Sequence, residues 1–345
     1  MGHSSSPGFQ ARSEALRNAP LAQQQQVPSD RRQDKKPPIL MNRYQLIKVL
    51  GRGGFGVTAL AKDYQLPGHP YCVIKQLCPK IQDQDTLIRS RYRFQREAKT
   101  LAALGGHAQI PLLFNYFEQK GQFFLVQEFI PGQTLTHKVK AGGPWSEPEV
   151  IAFLENMLPV LDYVHQHGVI HRDLKPSNIM QCSQDDRFVL LDFGAMKSAL
   201  ASEETSAQIT RQFVGTPGFA PPEQQQLRPC FASDLYALGM TCLFLLSGHW
   251  PQSFPWDKRR QSVQWTEKIS VSKPLEYVLN RLLITDLTQR YRSAEEVLNS
   301  LSKIVKRPLP TPAVVPSSPR NNFADLQDCL HSQSPQRRYL SKNKR

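Results

Sequence analysis

The spacing of apolar residues changes along this chain, and each change marks a different kind of element. From Tyr44 the run Tyr44–Gln45–Leu46–Ile47–Lys48–Val49–Leu50 mixes β-formers with polar positions, a glycine cluster follows, and Val57–Thr58–Ala59–Leu60–Ala61 resumes the pattern. Two strands joined by a glycine-rich turn are the natural reading. A further strand is predicted over Tyr71 to Leu77, and a strand pair over Phe114–Phe117 and Phe123–Gln127 around Lys120–Gly121. Within 87–104, Phe94, Ala98, Leu101 and Leu104 form one helical stripe, with Gly105–Gly106 as its stop. After Pro131–Gly132 the pattern turns helical. Ser146 and Glu149 stand at capping-box spacing ahead of an apolar face from Val150 to Val164. The stretches 233–247, 274–284 and 293–305 read as further helices. The expected fold class is α+β, a small β-rich part with one main helix followed by a larger, mostly helical part.

Both ends lack this periodicity. Residues 1–42 hold the run Gln23 to Gln26 and a charged stretch from Asp30 to Lys36, and 306–345 are rich in Pro, Ser and basic residues. Few large apolar groups are available to offset the entropy of ordering, so both are expected to be disordered tails. Composition adds little, since 40% hydrophobic and 21% charged residues in 345 is ordinary globular usage. The net charge of +14 suggests a nucleic-acid binder until it is located. Residues 1–42 carry +3 and 306–345 carry +6, which leaves +5 on the 263 residues between them. That central part is nearly balanced and has no aromatic-rich basic motif, so nucleic acid is not an expected partner. The basic tails remain suited to acidic proteins or anionic surfaces. The longest apolar stretch, Leu235 to Leu246, falls short of the roughly 20 residues a membrane helix needs. Six cysteines without a CxxC pair or zinc-site spacing point to reduced, packed thiols in a cytoplasmic protein.

Three stretches carry chemistry. Gly51–Arg52–Gly53–Gly54–Phe55–Gly56 is a G-x-G-x-x-G, whose backbone N–H groups can approach phosphate oxygens closely; a tight hairpin needs the same glycines. A dinucleotide fold would place a helix after it, whereas Val57–Ala61 is β-rich. Lys75, in Cys72–Val73–Ile74–Lys75, stands on a strand among apolar neighbours, and Glu97 on the main helix is a candidate partner. At ~4 Å such a pair attracts by about 4 kcal/mol at intermediate dielectric, before desolvation. The third stretch is His171–Arg172–Asp173–Leu174–Lys175–Pro176–Ser177–Asn178, followed by Asp192–Phe193–Gly194. A carboxylate, a lysine two positions on and an amide five positions on can converge from one loop on a reaction centre. Asp192, beyond the strand Phe188–Leu191, supplies a hard oxygen ligand for a divalent cation.

With these motifs in one chain, the region from Arg43 to Ser302 resembles a eukaryotic-type (Hanks-type) Ser/Thr protein kinase. Cys72–Val73–Ile74–Lys75–Gln76–Leu77 and Pro221–Pro222–Glu223–Gln224 are similar in texture to bacterial members. The resemblance implies the bilobal protein-kinase fold, with a domain at 43–305 divided into an N-lobe (43–130) and a C-lobe (131–305). It implies ATP and Mg2+ as cofactors, with Mn2+ as the alternative ion. Gly51, Gly53 and Gly56 would cover the ATP phosphates, with Leu50, Gly54, Phe55, Thr58 and Val73 completing that part of the nucleotide site. Lys75 would hold the α- and β-phosphates and pair with Glu97. Glu128 and Ile130 would offer backbone groups to adenine, behind Gln127 at the gate position. Asp173 would accept the substrate hydroxyl's proton, Lys175 would steady the transferred phosphoryl group, and Asn178 and Asp192 would bind magnesium, with Phe193 and Gly194 as structural or regulatory positions beside Asp192.

Gly215–Thr216–Pro217 through Glu223 matches the end of an activation segment, Glu223 would pair with Arg290, and Asp234 would brace the catalytic loop. Arg172 beside Asp173 suggests a basic pocket for a phosphate on that segment. Ser202, Thr205, Ser206 and Thr210 are available, and Thr210 is the expected main autophosphorylation site. Arg89, Arg91, Arg93, Arg96 and Lys99 either help bind that phosphate or form a solvated helix face. Thr58 replaces an expected valine and Val73 an expected alanine, which implies a tighter, more polar adenine pocket; Pro221 replaces an alanine. The implied activity is transfer of the ATP γ-phosphate to Ser/Thr hydroxyls of proteins, this chain included. A small-molecule kinase of related fold would explain Asp173, Asn178 and Asp192 but not the peptide platform from Gly215 to Glu223. A pseudokinase scaffold would not need every ionic residue, and here none is missing.

Overall fold

The β-rich start of the chain folds into one twisted antiparallel sheet. Its strands are β1 (Ile39–Leu40), β2 (Tyr44–Gly53), β3 (Gly56–Asp63), β4 (Tyr71–Leu77), β5 (Leu113–Gln119) and β6 (Gln122–Glu128), in the order β1-β2-β3-β4-β6-β5. In this computed structural model the described residues are 39–53, 56–77, 84–193, 197–198, 215–257, 259 and 261–304. The expected tails, apart from residues 39–42, lie outside them, as do Gly54, Phe55, Gly194 and the candidate phosphosites from Ser202 to Thr210.

Side chains alternate between the faces of a strand, and that alternation sorts β4. Cys72 and Ile74 enter one small core with Tyr44, Phe117 and Phe124. Leu77 faces the other way and joins Leu125 and the helix α1 (Gln84–Leu104) in the main core. Lys75, two residues before Leu77, shares that helix-facing side. The α1 stripe behaves as its spacing predicts: Phe94, Ala98, Leu101 and Leu104 are all buried.

The helical part opens with a detail that periodicity does not show. Gly132 begins a short strand, β7 (Gly132–Thr134), before α2 (Leu135–Gly142). β7 pairs with β9 (Ile179–Cys182), which pairs in turn with β10 (Phe188–Leu190). A Cβ on Gly132 would lie 2.1 Å from the Gln181 carbonyl oxygen, so only glycine permits this approach. The helix α3 (Glu147–Gln166) starts at the expected capping box, where the Ser146 N–H donates to Glu149 at 2.7 Å. Beyond it come β8 (Val169–Ile170), paired with β11 (Lys197–Ser198), then α4 (Pro222–Gln225) and α5 (Phe231–Ser247). The hairpin β12 (Trp256–Asp257) and β13 (Ser262–Val263) precedes α6 (Lys273–Leu283) and α7 (Ala294–Ile304).

Helix α5 is buried without interruption from Ala232 to Leu245. The longest apolar stretch of the chain is therefore the axis of the helical lobe, surrounded by other elements on all sides. Among the described residues no helix is long and apolar enough to cross a membrane. Arg290 is fully buried beside α5. It donates to Glu223 on α4 at 2.6 Å and to the Ile284 and Ala232 carbonyls, while the Ser233 hydroxyl donates to the same carboxylate at 2.8 Å. The pair joins the end of the activation segment to α5 and to the loop after α6. Arg290→Met leaves the Glu223 carboxylate buried without its cation, and we expect a loss of about 3–5 kcal/mol of stability in urea unfolding.

Cys72, Cys182 and Cys242 are buried and Cys230 is half-buried, each as a free thiol. Burial pushes the Cys72 thiol up to about 12 and also raises those of Cys182 and Cys242. Thiolate is the reactive form. Iodoacetamide on the native protein at neutral pH should therefore label Cys230 ahead of these three, and mass spectrometry of the digest reads the order.

Candidate active site

A cleft of about 330 Å³ lies between the sheet and the helical part. The strands β2, β3 and β4 supply Leu50, Gly51, Thr58, Val73 and Lys75 to its wall, and the end of β6 supplies Gln127 and Glu128 with Ile130 just beyond. From the other side come Asn178, Met180, Leu191 and Asp192. Residues scattered over more than 140 positions of sequence thus line one space; ten of them were expected on the nucleotide or metal site, whereas Met180 and Leu191, like Leu60 and His137, were not. Gly53 stands at the end of β2 in register with Gly56 on β3.

At the inner end of the cleft, Lys75 Nζ lies 2.6 Å from Glu97 Oε1 and 3.4 Å from Asp192 Oδ1. Glu97 is buried on the helix stripe next to Ala98. Burial works against the Lys75 charge, but the carboxylates of Asp192 and Glu97 outweigh it and raise the ammonium's pKa. Burial pushes the Glu97 carboxyl up, with Lys75 opposing, and the Phe193 main chain also hydrogen-bonds Glu97. The ammonium is thereby held charged and aimed into the cleft. Asp192 itself is half-exposed, so its carboxylate keeps access to a ligand.

The loop after β8 builds the second cluster. Lys175 Nζ donates to Asp173 Oδ2 and to Thr216 Oγ1, each at 2.7 Å. Thr216 Oγ1 donates to Asp173 Oδ1 at 2.7 Å, and Asn178 Nδ2 donates to the Asp173 carbonyl at 2.9 Å and to its Oδ2 at 3.0 Å. The loop spacing brings Asp173, Lys175 and Asn178 together, as expected. Thr216 arrives from a distant segment.

Asp234 holds this loop from beneath. Fully buried on α5, it accepts the His171 N–H on Oδ2 and the Arg172 N–H on Oδ1, both at 2.8 Å. Arg172 has a φ of 70° and Asp192 a φ of 61°, conformations that non-glycine residues adopt only when the surroundings impose them. At Arg172 the imposing groups are Asp234 on the N–H and the Gln224 side-chain amide, which donates to the carbonyl at 2.6 Å. Phe193 is buried edge-on against the His171 ring at 5.2 Å, and His171 Nε2 reaches the Leu191 carbonyl at 3.1 Å. His171 therefore couples the two motif stretches.

Three contributors had no local signal in the sequence. His165 Nε2 shares Asp234 Oδ2 at 2.9 Å, yet in α3 it reads as one more helical position. Gln224 was visible only as part of a family-like texture. Gln109 donates to the Asn156 side chain at 2.7 Å and to the Phe188 carbonyl at 3.0 Å, tying the loop after α1 to the helical part. Of the basic residues on α1, Arg91 lies over the Phe123 ring at 4.8 Å and within 3.7 Å of Glu118, Lys99 is exposed, and burial lowers the pKa of Arg96. The side chains of Arg89 and Arg93 lie outside the described residues.

A sheet lobe with one long helix and a mostly helical lobe, bordering a cleft, are the parts of the two-lobed protein-kinase fold. The chain belongs to the protein kinase family, residues 44–302 matching its protein kinase domain. It is similar to "Serine/threonine-protein kinase B" of Synechocystis sp., 44% identical over 267 residues that make up 76% of this chain and 46% of that protein. It is similar also to "Serine/threonine-protein kinase PknA" of Nostoc sp., 40% identical over 285 residues, 81% of this chain and 50% of that one. The chain spans about half the length of these curated relatives. Among solved structures, the PknI kinase domain of Mycobacterium tuberculosis superposes with a TM-score of 0.59 at 27% identity, covering 77% of this chain and 97% of that one.

Replacing Asp234 by Asn removes one of two acceptors and turns an NH2 towards a buried N–H. Unfolding of Asp234→Asn in urea should show a loss of about 1–3 kcal/mol, the cost of one unsatisfied buried donor.

Proposed function

We propose that this chain is an ATP-dependent protein serine/threonine kinase, transferring the γ-phosphate to Ser/Thr hydroxyls of proteins, itself included. The observation that carries the reading is the closed set of contacts among Asp173, Lys175, Asn178 and Thr216 beside the Lys75–Glu97–Asp192 cluster. Thr216 belongs to the segment from Gly215 to Glu223, expected to carry a peptide, and its bonds to both Asp173 and Lys175 favour a protein acceptor over a small molecule.

In this reading the purine lies between Leu50 and Val73 above and Met180 and Leu191 below, with the backbone of Glu128 and Ile130 at its edge. The Gly51–Gly56 turn covers the phosphates, and Lys75, held by Glu97, binds the α- and β-phosphate oxygens. The donor set at Asn178 and Asp192 suits a divalent cation: the Asn178 NH2 is committed to Asp173, which leaves its amide oxygen, and the Asp192 carboxylate is half-exposed. These two residues would hold Mg2+, with Mn2+ as the other ion; when bound, the ion neutralises charge on the phosphate oxygens. Asp173 accepts the proton of the acceptor hydroxyl as that oxygen bonds to the γ-phosphorus. The phosphorus–oxygen bond to ADP breaks, and its electron pair leaves with ADP. Lys175, already at the Asp173 carboxylate, stabilises the charge on the phosphoryl group in transit. Positioning and electrostatics do most of the work.

The domain extends over 43–305 with lobes at 43–130 and 131–305, flanked by basic tails suited to acidic partners. Its reduced, packed cysteines support a cytoplasmic location. Arg172 adjoins the loop that would read a phosphate on the activation segment, and Thr210 is the site proposed for it.

The reading is tested with radiolabelled ATP and a generic protein substrate. Asp173→Asn and Lys75→Met should each lower kcat at least about 100-fold, and the label on the wild-type chain itself should map to a peptide containing Thr210. Equal labelling by all three proteins would sink the assigned roles.

A further inference from the structure

Helix α1 carries an outer face opposite its buried stripe. Ile88 and Tyr92, one turn apart, are 51% and 38% exposed, and Arg96 and Lys99 continue the same side of the helix. Arg96 is half-buried, yet its guanidinium makes no hydrogen bond or ion pair with any described residue. Burial accordingly lowers its pKa. Arg91, by contrast, already has Glu118 and the Phe123 ring. A partly desolvated cation without a partner, next to an exposed apolar pair, suits a ligand that presents a carboxylate beside an apolar group.

The chain itself holds such a ligand. Residues 305–345 follow α7, outside the described ones, and combine eight Lys and Arg with two carboxylates, Asp325 and Asp328. Each carboxylate stands two positions after a large apolar residue, Phe323 or Leu326. No carboxylate of 1–38 or 199–214 is placed in that way. In an extended segment, residues two apart share a face at about 6.6 Å. Residues four apart on a helix, such as Tyr92 and Arg96, rise by about 6 Å. Phe323 and Asp325 therefore match the spacing of the apolar pair and the cation. The 18 residues from 305 to 322 span up to about 60 Å when extended. A domain of about 260 residues has a radius of gyration of about 18 Å, so the segment can reach α1 from the end of α7.

We propose that the outer face of α1 is the docking site of this chain's own segment Phe323–Asp328, with Phe323 against Ile88 and Tyr92 and the Asp325 carboxylate paired with Arg96. The seat lies across the helix from Glu97, outside the cleft. It holds from without the helix that presents Glu97 to Lys75.

Carbodiimide coupling of the full chain tests this, because it joins a carboxylate to an amine only where the two are in contact. Lys99 lies one turn beyond Arg96, and mass spectrometry of the digest should find it joined to Asp325. Tyr92→Ser and Phe323→Ser should each lower the yield about tenfold, the size of one lost large apolar contact. Phe323→Ser lies outside the kinase domain and keeps the test decisive if Tyr92→Ser does not fold. In a mixture of isotope-labelled and unlabelled chains, the joined peptides should carry one isotope only. Peptides of mixed isotope would give the face to a second copy, and Lys99 joined to Glu203 or Glu204 would give it to the segment 199–214; either overturns the proposal. Absence of a Lys99–Asp325 product, or an equal yield in Phe323→Ser, overturns it as well.

Discussion

The geometry of this protein depends on one buried carboxylate. Asp234 sits in the first turn of a helix with no exposed residue from Ala232 to Leu245, and there it accepts two consecutive backbone N–H groups from a loop that has turned into a disfavoured conformation. A carboxylate with backbone N–H groups on both oxygens is a strong, directional anchor in a low-dielectric interior. The left-handed backbone at Arg172 is tolerable because Asp234 and Gln224 hold both sides of it. Release of that residue would turn Asp173 and its partners away from the cleft.

The opposing cluster rests on strand alternation. Lys75 shares the helix-facing side of β4 with Leu77, and Glu97 shares the buried stripe of α1 with Phe94, Ala98 and Leu101. Two hydrophobic interfaces therefore bring an ammonium and a carboxylate to 2.6 Å. Desolvation makes such a pair expensive, and a second carboxylate, Asp192, keeps the ammonium charged. The site thus has two halves over one continuous main core, and Gln109, with its contacts to Asn156 and Phe188, links them further.

Much of this was legible before folding. The α1 stripe, the Ser146 capping box, the hairpin around Lys120–Gly121 and the apolar run of α5 all follow from spacing, because local periodicity is what strands and helices respond to. Asp173, Lys175 and Asn178 lie within one loop, so their convergence needs no long-range information. The β7 strand was not legible. Its three residues have no period, and only the approach of Gly132 to the Gln181 carbonyl explains them. Pairing partners such as Glu223 and Arg290 were named through family resemblance, since nothing local links residues 67 positions apart.

Sequence alone determined the longer strands and helices, which of their faces are apolar, and which residue types are available for phosphoryl chemistry, since these depend on neighbours a few positions away. Tertiary structure decided which groups meet. It set Thr216 between Asp173 and Lys175 and gave His165 a share of Asp234. Hydrogen bonds and charges act over a few ångströms of space whatever the separation along the chain, and only folding sets those distances.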